Sequence, residues 1–332
     1  MRHQITIHEN DAGQRLDKFL SKYMPDMPKS MIYKLIRKKD IRLNQKRCQG
    51  NEILQLDDQI TIFAEEKFFS PKKKKLDLQI SGNLQICYED PDFLIVCKSV
   101  GQDVHNGDRS GFQNQTGSLI EQIRAYLYEK QEYLPEQEQS FSPALCNRID
   151  RNTEGLVIAA KNAAALRSMN EAIRLHQVHK SYLAVTNGKL PRKQDICTAW
   201  LKKDAQRNQV RILADPPDST WQEIRTQYEV LAERGNYQLV KINLLTGRTH
   251  QIRAHLAYLH APLLGERKYR NANAKQDTRN SGASRKTYQC LCAWQITFSG
   301  LTSPILQYLE QKTITAPVPE FVRNYFPDFK NF

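Results

Sequence analysis

Residues 71–75 read Pro-Lys-Lys-Lys-Lys, and a packed core cannot run through them. Proline lacks the backbone donor that helices and sheets use, and four adjacent ammonium groups repel one another. The chain is therefore expected to fold as two units joined by a flexible, lysine-rich linker over residues 64–79. That leaves a small unit at 1–63 and a large one at 80–332, the latter long enough for a sizeable core.

The small unit carries a disproportionate share of the charge. The whole chain has a formal net charge of +13. Residues 1–75 hold 17 Lys and Arg against 10 Asp and Glu, so over half of the excess sits in under a quarter of the 332 residues. A polyanionic partner suits that balance. Residues 15–24 are expected to form a short helix, with Pro28 in the first turn of a second, where it needs no backbone donor. Met31, Ile32, Leu35 and Ile36 recur at helical spacing, which puts Lys34, Arg37 and Lys38 on the opposite side. Residues 41–44 read as a strand, 45–47 as a turn and 59–63 as another strand. Residues 29–47 contain eight basic residues and one acid, Asp40. Lys34, Arg37, Lys38, Arg42, Lys46 and Arg47 are accordingly expected to form a phosphate-binding face rather than a merely solvated one.

In the large unit, Leu84, Ile86 and Tyr88 alternate as in a half-buried strand, and residues 93–97 read as a buried one. Leu119, Ile120, Ile123, Tyr126 and Leu127 fall at helical spacing within 118–130. Strands are expected at 226–231 and 237–245, and a helix capped by Thr249 running to about residue 260, with Ile252, Leu256 and Leu259 inward. Strands outnumber helices without regular alternation. The expected fold class is α+β, a mixed or mostly antiparallel sheet with flanking helices, plus the small N-terminal α/β module. The polar stretch 271–286 is expected to be a surface loop. No apolar stretch approaches the ~18 residues of a membrane span, and the N-terminus has no apolar signal region. Seven irregularly spaced cysteines without a Cys-x-x-Cys suit reduced thiols, so a cytoplasmic protein with no membrane partner is expected.

Asp150 lies between Arg148 and Arg151, shortly before Gly155 and an apolar run at 156–160. Alone, such a stretch is a surface ion pair worth ~0–1 kcal/mol. A carboxylate that must react has a different need: neighbouring guanidinium groups keep it ionised. The pairs His176/His179 and His250/His255 have no third ligand at regular spacing, so no metal is expected. Cys146 has no catalytic Cys-His signature beside it.

Four segments occur in a telling order: Y-E-D-P-D-F-L-I-V-C-K-S-V-G-Q-D-V-H at 88–105, N-R-I-D-R-N-T-E-G-L-V-I-A-A-K-N at 147–162, H-K-S-Y-L-A-V at 179–185 and L-L-T-G-R-T-H-Q-I-R-A-H-L at 244–256. Together they resemble the RNA pseudouridine synthases of the RluA/RluC/RluD family. Residues 28–44, P-K-S-M-I-Y-K-L-I-R-K-K-D-I-R-L-N, are similar to the small alpha-L RNA-binding module shared by a ribosomal protein and several RNA-modifying enzymes.

The resemblance implies roles residue by residue. Asp150 matches the catalytic aspartate, and Arg148 an arginine that enters the RNA helix as the target base leaves. Tyr182 matches a tyrosine that packs on the base, and Arg253 an arginine paired with the catalytic carboxylate. It implies a cofactor-free, metal-free isomerisation of uridine to pseudouridine in ribosomal, expected large-subunit, RNA by a monomer. Transfer RNA is the alternative substrate, and a non-catalytic RNA-binding or ribosome-assembly factor the alternative class. Asn147, Glu154 and Glu266 stand where the family usually has His, Ser and Asp. Glu154 is expected to add negative charge near Asp150.

Overall fold

The computed structural model describes residues 2–69, 84–105, 117–204, 209–269 and 288–330. The lysine run 72–75 and the expected surface loop 271–286 lie outside the described residues.

The N-terminal part is a four-stranded antiparallel sheet, ordered β1-β4-β2-β3, with two helices against it. Its strands are β1 (Arg2–Thr6), β2 (Ile41–Leu43), β3 (Lys46–Arg47) and β4 (Gln59–Phe63). Helix α1 (Leu16–Tyr23) buries Leu16, Phe19 and Leu20, and α2 (Lys29–Lys38) buries Ile32, Leu35 and Ile36. These meet Ile5, Ile41, Ile60 and Ile62 from the sheet in one core. Two local expectations need correction. Pro28 is the cap before α2, with ψ 141, not a member of its first turn. Residues 45–47 are not simply a turn. Asn44 and Gln45, at φ 50 and 64, make the two-residue turn that strand twist favours, so Lys46 and Arg47 pair back on β2. Asn44 is held by donating to Asp58 Oδ1 at 2.7 Å and accepting from the Gln59 N–H at 2.8 Å.

The larger part is one eleven-stranded sheet, with path β11-β10-β12-β13-β9-β14-β8-β6-β5 and with β15 on β14 and β7 on β8. In chain order the strands are β5 (Gln85–Glu89), β6 (Phe93–Lys98), β7 (Ala144–Leu145), β8 (Glu154–Ala160), β9 (Val178–Asn187), β10 (Gln194–Asp204), β11 (Gln209–Leu213), β12 (Gln222–Arg234), β13 (Tyr237–Leu244), β14 (Leu291–Phe298) and β15 (Thr313–Thr315). Among the described residues, β14 with β8 is the one parallel pair. The class is therefore α+β on a mostly antiparallel sheet.

Residues alternate between the two faces, and so do the two cores. Phe93, Ile95, Leu156, Ile158, Leu183 and Leu239 join one core with α4 (Ala163–Arg174) and α6 (Glu320–Tyr325). Leu94, Val96, Val157, Ala159, Tyr182 and Val240 join the other with α3 (Leu119–Glu129) and α5 (Gln251–Tyr258). Burial on both faces explains why β6 and β8 read as unbroken apolar runs. Ser118 and Glu121 form a capping box that starts α3 where the apolar pattern begins.

The small and large parts touch along a polar seam. Asn10 Nδ2 donates to Glu138 at 2.8 Å, while Asn10 Oδ1 accepts from Ala163 N–H, in the first turn of α4, at 3.1 Å. Gln139 donates to the Thr6 carbonyl at 2.8 Å and Gln14 to Ser140 Oγ at 3.0 Å. Ser140 Oγ in turn hydrogen-bonds Asp11.

Candidate active site

Strand β8 sits at the centre of the site, and the loop entering it carries Asp150. Gly155 allows that entry. Its φ is +113, and a Cβ there would lie 2.2 Å from the Ala293 carbonyl of β14. Only glycine lets the parallel strand come so close. Asn147, buried, stands in for a missing stretch of ladder: Oδ1 accepts from Ile158 N–H at 2.8 Å and Nδ2 reaches the Leu156 carbonyl at 3.4 Å. Ile149 points into the core at 8% exposure, which leaves Arg148 exposed and Asp150 half-buried on either side of it.

A second loop braces the first. Lys98, fully buried, donates from Nζ to the carbonyls of Ser99 (2.8 Å), Gln102 (3.1 Å) and Arg151 (2.9 Å). Burial pushes its ammonium down to about 8, so it remains protonated at neutrality. Arg151 points away from Asp150, donating to the Gly101 carbonyl at 3.0 Å with Asp103 at 3.8 Å. Glu154 acts electrostatically on Lys98 and on the Cys97 and Cys292 thiols.

The guanidinium beside Asp150 comes from α5. Arg253 donates to Asp150 Oδ2 at 2.8 Å. Its other nitrogens grip Glu266, Nε to Oε2 at 2.8 Å and Nη2 to Oε1 at 2.9 Å. Glu266 is 3% exposed and also accepts backbone N–H bonds from Arg267 (3.0 Å) and Lys268 (2.7 Å). Burial opposes its anion, but the bonds and charge of Arg253 outweigh that and hold its carboxyl below the usual range. The departure from Asp at 266 thus places a longer carboxylate that clamps Arg253.

Helix α5 starts differently from expectation. Thr249 does not cap it; His250 takes that position with φ 56, a left-handed conformation. Gln251, buried, fastens the preceding loop to β12, accepting from Arg248 N–H at 3.1 Å and donating to the Arg225 carbonyl at 3.1 Å. His250, from the cap, and Arg253, from the first turn of α5, both approach Asp150, with His250 Nε2 at 3.7 Å from Asp150 Oδ2. Tyr182, on β9, is 7% exposed; burial first, then the charge of Asp150, push its phenol well above the usual value.

Asp150, Tyr182 and Arg253 thus belong to one locality, with Arg148 on its exposed rim. Lys34, Arg37, Lys38, Arg42, Lys46 and Arg47 are all exposed on the small unit, apart from that locality. Tyr33, Arg37 and Arg47 border a groove of about 800 Å³ there. Among the described residues no three His, Cys, Asp or Glu side chains converge as a metal site, and no helix is long and apolar enough to cross a membrane. The sequence analysis touches Glu266 only as a departure from the family pattern and His250 only as half of a histidine pair set aside as a metal site, and it does not single out Lys98.

Comparison with known proteins bears on this arrangement. The family model for RNA pseudouridylate synthase matches residues 92–258, and that for the S4 domain residues 14–60. The ribosomal large subunit pseudouridine synthase C of Buchnera aphidicola is 34% identical over 275 residues, 80% of each chain. Its namesake from Haemophilus ducreyi is 31% identical over 322 residues, covering 96% of this chain and 93% of that one. Among solved structures, human RNA pseudouridylate synthase domain containing 1 shares the fold with a TM-score of 0.56, at 21% identity, over 75% of this chain and 87% of that one.

Proposed function

The chain belongs to the RNA pseudouridylate synthase family, and from that premise we propose that it isomerises uridines of large-subunit ribosomal RNA with Asp150 as nucleophile. The observation that carries this reading is the Arg253 clamp. A buried carboxylate, Glu266, holds the guanidinium in place while its remaining nitrogen fixes one oxygen of Asp150 at 2.8 Å. Oδ1 of Asp150 makes no hydrogen bond among the described residues, which leaves it for the substrate on this reading. A surface ion pair would not need a buried second acid behind it.

The reaction breaks the bond from C1′ of the ribose to N1 of uracil and forms one from C1′ to C5. C5 gives up a proton and N1 gains one. Atoms and electrons balance within the nucleotide, so the step requires neither cofactor nor metal. The base must first leave the stack, which costs a few kcal/mol. Exposed Arg148 offsets that by entering the vacated position, and Tyr182 supplies a flat apolar wall for the base. The S4 module grips phosphates through Lys34, Arg37, Lys38, Arg42, Lys46 and Arg47. All these groups come from one chain, so a monomer suffices. All seven cysteines are free thiols, in accord with a reducing cytoplasm. The relatives' shared name favours ribosomal over transfer RNA.

The test is tritium release from 5-tritiated uridine in large-subunit ribosomal RNA, comparing the wild type with Asp150→Asn. Release by the wild type alone is expected. Equal release by both would remove Asp150 from the chemistry, and release from transfer RNA only would replace the substrate.

A further inference from the structure

Tyr269 touches both side chains that flank Asp150. Its hydroxyl lies 2.7 Å from His250 Nδ1, its ring meets the imidazole edge-on at 5.7 Å, and the Arg253 guanidinium sits 5.6 Å from its centroid. The same hydroxyl accepts from the Val210 N–H of β11 at 3.1 Å. That backbone bond uses an acceptor site and leaves the hydroxyl's own proton available to His250 Nδ1. The remaining imidazole proton then resides on Nε2, the nitrogen facing Asp150 Oδ2. Histidine is among the few non-glycine residues that tolerate the left-handed conformation found at 250, and that conformation turns the ring back over the carboxylate.

We propose that Tyr269 and His250 form a positioning pair for the nucleophile: Tyr269 fixes the imidazole tautomer, and His250 presents an N–H to the Oδ2 of Asp150 already bound by Arg253, reserving Oδ1 for the substrate. This rests on the reading of Asp150 as nucleophile. The spacing of 3.7 Å is slightly long for a hydrogen bond and closes with a small shift when RNA enters, as acid–base contacts in free enzymes commonly do. The neutral imidazole is the working form. Burial lowers its pKa most. Arg253 and Lys268 add to that, while Asp150 and Glu266 oppose it. A second full positive charge on Oδ2 would blunt the nucleophile.

The test uses the full chain and the ribosomal RNA substrate. Tyr269→Phe removes one oxygen. It is expected to lower kcat about tenfold, the effect of one hydrogen bond, with KM unchanged and a modest fall in melting temperature because the Val210 N–H loses its acceptor. The acid limb of its pH–rate profile should move to higher pH, because the imidazole loses the bond that favours its neutral form. His250→Gln retains an N–H donor without a titrating ring, so it should be clearly more active than His250→Ala. Wild-type kcat with an unmoved acid limb in Tyr269→Phe would overturn the pair, as would equal impairment of His250→Gln and His250→Ala. Asp150→Asn separates the two readings. If that variant is dead while Tyr269→Phe is normal, only the pair is lost; if it is active, the nucleophile assignment falls.

Discussion

Arg253 Nη1 lies 2.8 Å from Asp150 Oδ2, across 103 residues of chain, and the same guanidinium is gripped from behind by Glu266. The two carboxylates do not share the cation equally. Glu266 takes two of its nitrogens and is buried; Asp150 takes one and remains half-buried. The arginine is therefore anchored by Glu266 more than by Asp150.

That asymmetry separates loss of activity from loss of structure. Asp150→Asn keeps shape and leaves the Arg253–Glu266 pair intact. It should abolish turnover while melting temperature and RNA affinity stay at wild-type values. Single-turnover assays with thermal unfolding check this, and pseudouridine at wild-type levels would refute it.

Substitution of Arg253 should behave differently. Arg253→Met strands Glu266 in the interior without a counter-charge, at about 3–5 kcal/mol. Arg253→Lys retains the charge but not the fork that spans both acids, so it should lose most activity with a smaller fall in stability. Glu266 has a carboxyl held below its ordinary 4.5, so its contribution is complete above that value and disappears as pH falls through the lower, folded pKa. Denaturant titrations of both variants at neutral pH give the comparison, and equal stability of Arg253→Met and wild type would contradict it.

Lys98 ties together the two loops around Asp150. Lys98→Met leaves three backbone carbonyls without their donor, each worth roughly 1–3 kcal/mol unless water reaches it. The variant should melt earlier, and its single-turnover rate at saturating RNA should fall more than its affinity. An unchanged rate would show that the Arg151 carbonyl does not steady its neighbour.

Glu89 offers a pH test away from the site. It accepts from Lys130 (2.6 Å), Lys161 (2.7 Å) and the Tyr126 hydroxyl (2.8 Å). Burial works against its anion, but these bonds prevail and hold it down to about 2. Its stabilisation is present above the ordinary 4.5 and is lost as pH falls from there toward about 2. Glu89→Gln should be less stable than wild type at neutral pH, with the gap closing over that acid range. A gap independent of pH would contradict it.

Removal of residues 1–75 should leave a chain that folds but binds RNA more weakly. Every phosphate that is no longer neutralised flattens the log–log salt dependence by ~0.7–0.9. Affinity measured against salt for both chains decides the matter: an unchanged slope would mean the exposed cations of α2 and β3 do not grip phosphates.

Sequence patterns reveal the parts of this molecule that repeat or punctuate. The stripe of α2, the apolar spacing of α3 and the glycine after Asp150 are each legible over a few residues. Helix α4 is harder to read because three of its four fully buried positions, Ala163, Ala165 and Ala172, are alanine, while Leu166 and Ile173 are only partly buried. Strand β10 is hidden because only two of its eleven residues are fully buried, and β3 because two residues carry no period. The clamp is invisible for another reason. Glu266 and Arg253 are 13 residues apart and Tyr269 lies further on, so no helical or strand spacing relates them. Only the fold brings the three together. Asn147 shows the same limit: its departure from the family pattern is interpretable only once it is seen completing the ladder of β8.

The polar seam at Asn10, Gln14, Gln139 and Ser140 has a consequence for substrate choice. It fixes the basic helix α2 relative to Asp150, and on the proposed function the protein would work as a caliper. On the reading proposed above, RNA gripped at one jaw is modified only if its fold delivers a uridine to the other. Two RNAs of the same local sequence but different architecture would then be told apart with no base read at the uridine itself. A chain whose seam was loosened would keep its grip and its chemistry yet lose its sense of distance.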